Sequence, residues 1–245
     1  MNDIWNYPPK RRFEIAKSLN ANNKAKLLNT LLRNCPQKDW PYGMPFPISA
    51  ILIFIGASPG NSSSGESFDY TPTFGKPHPG IFYKDTNSYS YWKNIRAISE
   101  EIIKNTFYDL SNLDPLNFIG QLNLSTQNEA EAIKVVVKTE MAKWVAQTIE
   151  TIKPSCVILN GLKGILENSC YKTFNYQKNP IDWKRPHKIK SFEYIKTTQK
   201  IRFWYRGGTT FILLPNHTGK PVMKDQKSKK FVIDTIISEL KLNIY

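Results

Sequence analysis

The segment that most constrains this chain is ISAILIFIG, residues 48–56. It is a short, nearly continuous apolar run rich in isoleucine. A strand with one wet face alternates apolar and polar residues. This run leaves no side for water, and so predicts a strand buried on both faces. Strands of that kind belong to parallel sheets covered by helices, which makes an α/β fold the expectation. The run breaks off in GASPGNSSSG, residues 56–65. Such a small-residue loop at the carboxyl end of a buried strand is where open α/β sheets place ligands.

Three more runs of similar character follow: LNFIGQLNLS at 116–125, CVILNG at 156–161 and TFILLP at 210–215. Between them the apolar period changes to that of a helix. Trp92, Ile95, Ile98 and Ile102 predict a helix over 89–105. Ile133, Val136, Val137, Met141, Trp144, Val145 and Ile149 predict a long helix over 129–152. Glu129 and Glu131 favour its first turn and Lys153-Pro154 stops it. Phe231, Ile233, Ile236, Ile237 and Leu240 predict a final helix over 227–240. The alternation implies a central, mostly parallel four-stranded sheet, residues 50–55, 117–123, 156–160 and 210–215, with helices on both faces. Residues 1–47 read as an N-terminal helical extension packed on the main domain, with helical spacing over 9–19 and 23–33. Residues 48–245 then form the α/β domain. IRFWYR and TTFILLP flank Gly207-Gly208, the pattern of a hairpin turn.

Charge bears on partners. Lys and Arg number 34 against 20 Asp and Glu, a net charge of +14 and a pI near 9.6. Such an excess favours a polyanionic partner, with nucleic acid the first candidate. The basic residues crowd the segment before the last strand run. Lys184, Arg185, Lys188, Lys190, Lys196, Lys200, Arg202 and Arg206 are interleaved there with Trp183, Phe192, Tyr194, Phe203, Trp204 and Tyr205. Cations among stacking rings suit a strand-binding surface, with Lys184, Arg185 and Lys188 as phosphate ligands. The same pattern also fits an edge hairpin guarded by lysines. Cys35, Cys156 and Cys170 are scattered, without a CxxC or Cys/His cluster. No metal or other cofactor is expected, and reduced thiols fit a cytoplasmic protein. The start lacks an apolar signal core, and the run Ile48–Ile55 is too short to span a bilayer. A monomer with no membrane partner is expected.

The polar groups at the strand ends are GASPG, Asn123 and Asn216-His217. In a parallel sheet they lie along one edge, where they can meet in one cleft. PNHTGKP is not a phosphate-binding loop, because the first glycine of that motif is absent and Pro221 follows Lys220.

Taken in order, the apolar strand with GASPG, then FIGQLNLS, then a long helix and KPSCVILNG, then FILLPNHTGKP resemble the uracil-DNA glycosylase superfamily over residues 48–240. The resemblance implies a DNA glycosylase that flips a base out of double-stranded DNA, hydrolyses its N-glycosidic bond and leaves an abasic site. It implies that Gly56, Ala57, Ser58, Pro59 and Gly60 place the hydrolytic water and border the base, and that Asn123 reads the pyrimidine edge. Phe68 or Tyr70 would stack on the base. His217 would stabilise charge on the departing base. Asn216, Thr218 and Lys220 would lie against DNA. Several positions depart from the family pattern, among them Ala57, where some branches carry Glu, and His217-Thr218-Gly219, where His-Pro-Ser is usual. Ser58 stands where Asp or Asn is common, which makes Asp69 and Glu66 the nearest carboxylates that could serve as base. Gly60 stands where the strict uracil branch has a tyrosine that blocks carbon 5. Removing that ring opens room for a 5-substituted pyrimidine. Superfamily members in antiviral defence excise glucosylated hydroxymethylcytosine from phage DNA, and the resemblance extends the expectation to such phage-modified substrates. The alternatives are a non-catalytic DNA-binding module of the same fold, for which Ser58 is the main support, and an α/β enzyme acting on small nucleotides.

Overall fold

The computed structural model describes residues 2–20, 22–23, 26–27, 49–56, 90–124, 140–162, 173–174, 181–216, 218 and 220–244. Its strands are β1 (Leu52–Gly56), β2 (Ile119–Asn123), β3 (Cys156–Leu159), β4 (Thr173–Phe174), β5 (Ile181–Asp182), β6 (Lys188–Tyr194), β7 (Thr197–Arg206) and β8 (Thr209–Leu213). Its α-helices are α1 (Pro9–Ser18), α2 (Ser90–Thr106), α3 (Glu140–Ile152), α4 (Pro221–Lys224) and α5 (Gln226–Ile244). Of the long helix expected over 129–152, residues 129–139 lie outside the described residues, as do 24, 25 and 28–33 of the second N-terminal helix. No helix among the described residues is long and apolar enough to cross a membrane.

The four apolar runs form adjacent parallel strands, β2-β1-β3-β8. The sheet does not end there. β7 and β6 continue it antiparallel, so it is a mixed sheet of six strands rather than four. β7 is the IRFWYR arm of the expected hairpin, with Phe203 and Trp204 buried on opposite faces, whereas β6 lacks the apolar continuity that marks a strand buried on both faces. β6 reads KIKSFEY, polar and charged, and is the outer edge. Charged side chains are how edge strands resist pairing with another chain. β4 and β5 pair separately as a small antiparallel ribbon.

Side chains alternate across the central strands. Ile53, Ile55, Val157, Leu159, Phe211 and Leu213 pack with Trp144, Val145 and Ile149 of α3. Leu52, Phe54, Cys156, Ile158 and Ile212 pack on the other face with Ile95, Ile98 and Ile102 of α2 and Val232 and Ile236 of α5. The sheet therefore lies between two helical layers. Ala16 of α1 and Leu27 join the first cluster, while Phe13 joins the second, its ring 5.3 Å from that of Phe118. Arg12 is buried between α1 and α3 and donates from Nη1 to the Ile152 carbonyl at 2.8 Å. Burial pushes its guanidinium down to about 10, so it stays charged at neutral pH. A cation suits the carbonyl end of α3. That helix stops at Lys153, whose φ of 50° is left-handed, followed by Pro154.

The chain leaves β1 for β2 on one side and returns past β1 to β3 on the other. The β1/β3 boundary is thus a topological switch point, with a crevice at its carboxyl edge.

β7 pairs with β8 from Arg206↔Thr209 to Arg202↔Leu213. Residues 197–201 run on past the end of β8, paired only with β6. At about 3.4 Å per residue this carries the hairpin roughly 17 Å past the end of β8, with Ile201 buried and Phe192 and Tyr194 packed against the second core cluster. Its tip is the turn Tyr194–Thr197, with φ of 45° at Ile195 and 58° at Lys196. The β7–β8 turn also has positive φ at both central residues, but these are Gly207 and Gly208. Glycine takes that conformation freely, whereas a β-branched residue there costs about 1–2 kcal/mol. Ile195→Asn should therefore stabilise the protein by roughly 1 kcal/mol, read as a higher denaturation midpoint with an unchanged urea m-value. A lower midpoint would mean that the Ile195 side chain contributes packing that offsets its strain.

Candidate functional site

The carboxyl ends of β1, β2 and β3 lie level with one another. Gly56 is the register partner of Asn123. Leu124 N–H donates to the Gly56 carbonyl at 3.0 Å, and Asn160 N–H donates to the Ile55 carbonyl at 2.8 Å. Adjacent strands are about 4.8 Å apart, so β1 ends about 4.8 Å from each of β2 and β3, and those two ends lie about 10 Å apart across it.

The loop after β8 is drawn onto this edge by a buried polar clamp. The side chain of Asn160, just past β3, uses both ends of its amide on one residue. Its Oδ1 accepts from Thr218 N–H at 2.9 Å, and its Nδ2 donates to Thr218 Oγ1 at 3.2 Å. From α2, Asn94 Nδ2 donates to the Thr218 carbonyl at 2.7 Å. Asn94, Asn160 and Thr218 are all buried. A buried amide or hydroxyl without a partner costs about 1–3 kcal/mol, so each bond holds the other groups in place. On the solvent side Asn216 Nδ2 donates to Gln199 Oε1 of β7 at 3.0 Å. The segment around 216–218 is thereby tied to β3, to α2 and to the overhanging hairpin. Lys220 is exposed just before α4.

Gly56 and Asn123, two of the residues singled out from sequence, are brought together by the strand register. Ala57, Ser58, Pro59, Gly60, Glu66, Phe68, Asp69, Tyr70 and His217 lie outside the described residues. Asn216 and Lys220 flank the same edge. Thr218 does so too, but its side chain turns inward to Asn160 and is fully buried, so it positions the loop from within and offers no surface to a strand of DNA.

The basic residues divide. Lys188 is not a free phosphate ligand. Its Nζ pairs with the buried carboxylate of Glu239 on α5, which also accepts from the Tyr205 hydroxyl at 2.8 Å. Burial, and then that carboxylate, push the Tyr205 phenol well above its usual range. Lys184 and Arg185 are exposed, but they sit at the base of the hairpin. The Lys184 N–H donates to Asp182 Oδ1, and the Arg185 guanidinium lies 3.7 Å from Asp182 Oδ2. Arg185 lines an open cavity of about 390 Å³ with His187, Trp204 and Arg206, away from the carboxyl edge. On the hairpin the exposed cations past the end of β8 are Lys190, Lys196 and Lys200, with the half-buried Arg202 level with Leu213, while Lys220 flanks the same edge from the loop after β8.

Asn160, Asn94 and Gln199 carry no flag in the sequence reading. Asn160 carries the same signal as Asn123, a polar residue ending an apolar run expected to be a strand. Asn94 lies within a helical pattern where nothing separates it from a solvated residue. Among the described residues no three His, Cys, Asp or Glu side chains gather in a way that could hold a metal ion. No protein-family model matches the chain, and no curated protein matches it.

Asn160→Ala would strand the Thr218 N–H and Oγ1 in the interior. It should destabilise the protein by about 1–3 kcal/mol and speed amide exchange at Thr218. Thr218→Ser keeps both bonds and should leave that amide protected. Equal exchange rates in wild type and Asn160→Ala would show that the loop is held by something other than this clamp.

Proposed function

We propose that this chain is a DNA glycosylase that flips a 5-substituted pyrimidine out of double-stranded DNA and hydrolyses its N-glycosidic bond. The observation that carries this proposal is the pairing of Gly56 with Asn123 at the switch-point edge, beside the clamp that fixes the loop after β8. The sequence segments that resemble the glycosylase motifs begin or end at these places. A net charge of +14 supports a DNA partner. Under this proposal the protein acts as a monomer, in the cytoplasm and without a cofactor. Its substrate is phage-modified DNA, with glucosylated hydroxymethylcytosine the leading case.

The chemistry asks for few groups. Flipping the base costs a few kcal/mol, offset by phosphate contacts that hold the strand. The bond between C1′ and the base nitrogen breaks, the water oxygen bonds to C1′, and the departing base takes up a proton. Positive charge builds on the sugar and negative charge on the base. Asn123 and His217 are assigned to the base, where preorganised donors stabilise the developing charge. Ser58 is assigned to the water. A serine hydroxyl orients water but is a poor base, so Asp69 is assigned the water's proton, with Glu66 the other carboxylate close by in sequence. Gly60 is assigned to the space beside carbon 5.

A second possibility, a DNA-binding module that has lost hydrolysis, is favoured by one observation: Ser58 and Ala57 stand where family members carry acids or amides. One experiment addresses both. Duplexes carrying a single uracil, cytosine, hydroxymethylcytosine or glucosylated hydroxymethylcytosine are incubated with the protein and treated with hot alkali. The glycosylase cuts at the bulky 5-substituted base. Gly60→Tyr should lower that activity at least about 100-fold, ~2.7 kcal/mol of barrier, while Gly60→Ala retains most of it. Equal loss in both variants assigns Gly60 a backbone role. Tight binding with no alkali-labile site on any duplex overturns the enzyme and leaves the binding module.

A further inference from the structure

β7 outruns β6 at the end away from the candidate site. β6 begins at Lys188, level with Phe203, so Trp204, Tyr205 and Arg206 have no partner in that strand. Arg206 is level with Thr209, the first residue of β8, which puts this end of β7 at the amino edge of the parallel strands, opposite Gly56 and Asn123. The open cavity of about 390 Å³ lies here, lined by Asp182, Arg185 and His187 from β5 and the segment after it, and by Trp204, Tyr205 and Arg206 from β7.

The cavity wall is held in place by hydrogen bonds. Trp204 Nε1 donates to the Asp182 carbonyl at 2.9 Å, and His187 N–H donates to the Phe203 carbonyl at 2.9 Å. His187 Nδ1 accepts from Tyr205 N–H at 3.0 Å, in place of a strand carbonyl. That bond leaves the ring proton on Nε2, as a donor. The imidazole is also stacked on the Tyr205 ring, centroids 5.7 Å apart and planes 19° apart, while the residue is exposed. A flat ring stacked on one side and open to solvent is a platform for another flat ring. Charges of both signs surround it. The Arg185 guanidinium lies 3.7 Å from Asp182 Oδ2, and that of Arg206 lies 3.9 Å from Glu150 Oε1, each beyond hydrogen-bond distance of its carboxylate. An arginine fork matches the oxygens of a phosphate.

We propose that this cavity binds a nucleoside monophosphate, with its phosphate on Arg185 and Arg206, a sugar hydroxyl on the Asp182 carboxylate and its base stacked on His187. Such a site is independent of the glycosylase reading. The volume suits a ligand of several parts: clefts for small organic ligands begin at about 300 Å³, whereas an inorganic phosphate would leave most of the space empty. A duplex is a poor occupant, because Asp182 and Glu150 stand beside the cations and repel an unbroken row of phosphates.

Isothermal titration calorimetry of the full chain with adenosine monophosphate, ribose 5-phosphate and inorganic phosphate tests each part. Adenosine monophosphate should bind about tenfold tighter than ribose 5-phosphate, through its stacked base, and inorganic phosphate should bind weakest. Arg185→Gln, at a position whose side chain is 90% exposed, should keep the fold. It should weaken the nucleotide and ribose 5-phosphate alike, by about tenfold or more. His187→Asn keeps an acceptor for the Tyr205 N–H and removes the ring. It should weaken the nucleotide about tenfold and leave ribose 5-phosphate as in wild type. The absence of saturable nucleotide binding would overturn the site. So would inorganic phosphate binding as tightly as the nucleotide, or a nucleotide affinity indifferent to both variants. Asn123→Ala, and competition by an unmodified duplex, show where the nucleotide sits. Unchanged nucleotide affinity in both supports the cavity. Weaker binding in Asn123→Ala, or displacement by the duplex, puts the nucleotide at the carboxyl edge and overturns the cavity while leaving the glycosylase reading intact.

Discussion

β1 has no face and no edge open to water. Its residues are fully buried, its side chains divide between two helical layers, and its backbone is paired with β2 on one side and β3 on the other. Buried backbone groups must be paired, so a strand of this composition has to lie inside a sheet. Its apolar side chains each contribute about 1.5–3 kcal/mol by leaving water. Against that sum, the roughly 1–2 kcal/mol stored in the Ile195 turn is small. The core can hold a strained arm at the periphery without losing the fold.

Everything at the carboxyl edge takes its position from this strand. Gly56 is where β1 ends, Asn123 is its register partner, and Asn160 is hydrogen-bonded to the residue before it. The loop after β8 would otherwise be an ordinary surface connection. Two buried asparagines from different layers, Asn160 and Asn94, engage every polar group of Thr218 and make it part of the interior. The edge therefore has a stiff floor, fixed by backbone register and a small polar network. To one side rises a hairpin that is anchored at its base and cationic toward its tip.

The parallel core was legible because two-sided burial leaves a distinct mark: four isoleucine- and leucine-rich runs, each a strand and each parallel to its neighbours among the four, though their order in the sheet was not. The faces of α2 and α5 were legible from helical spacing for the same reason. β6 was not, because an edge strand is selected for charge, and KIKSFEY reads equally as a binding surface or as a guarded edge. Neither sense exhausts it, since Lys188 is paired with Glu239 while Lys190 is exposed. Thr218 and Asn160 were hard to assign because their role depends on a contact 58 residues apart in the chain. The strain at Ile195 is invisible in sequence, because nothing in Tyr-Ile-Lys-Thr announces a two-residue turn with positive φ.

The central claim is that DNA is held at the carboxyl edge, between the clamped loop and the overhanging hairpin. Amide hydrogen exchange of the whole chain, with and without a saturating duplex, addresses it directly. The account predicts that the duplex protects Lys196–Arg202 together with Leu214, Asn216 and Thr218, and leaves the opposite edge, around Lys153 and the Gly207-Gly208 turn, unchanged. Protection confined to that opposite edge, or to the cavity beside Arg185 and His187, would contradict it.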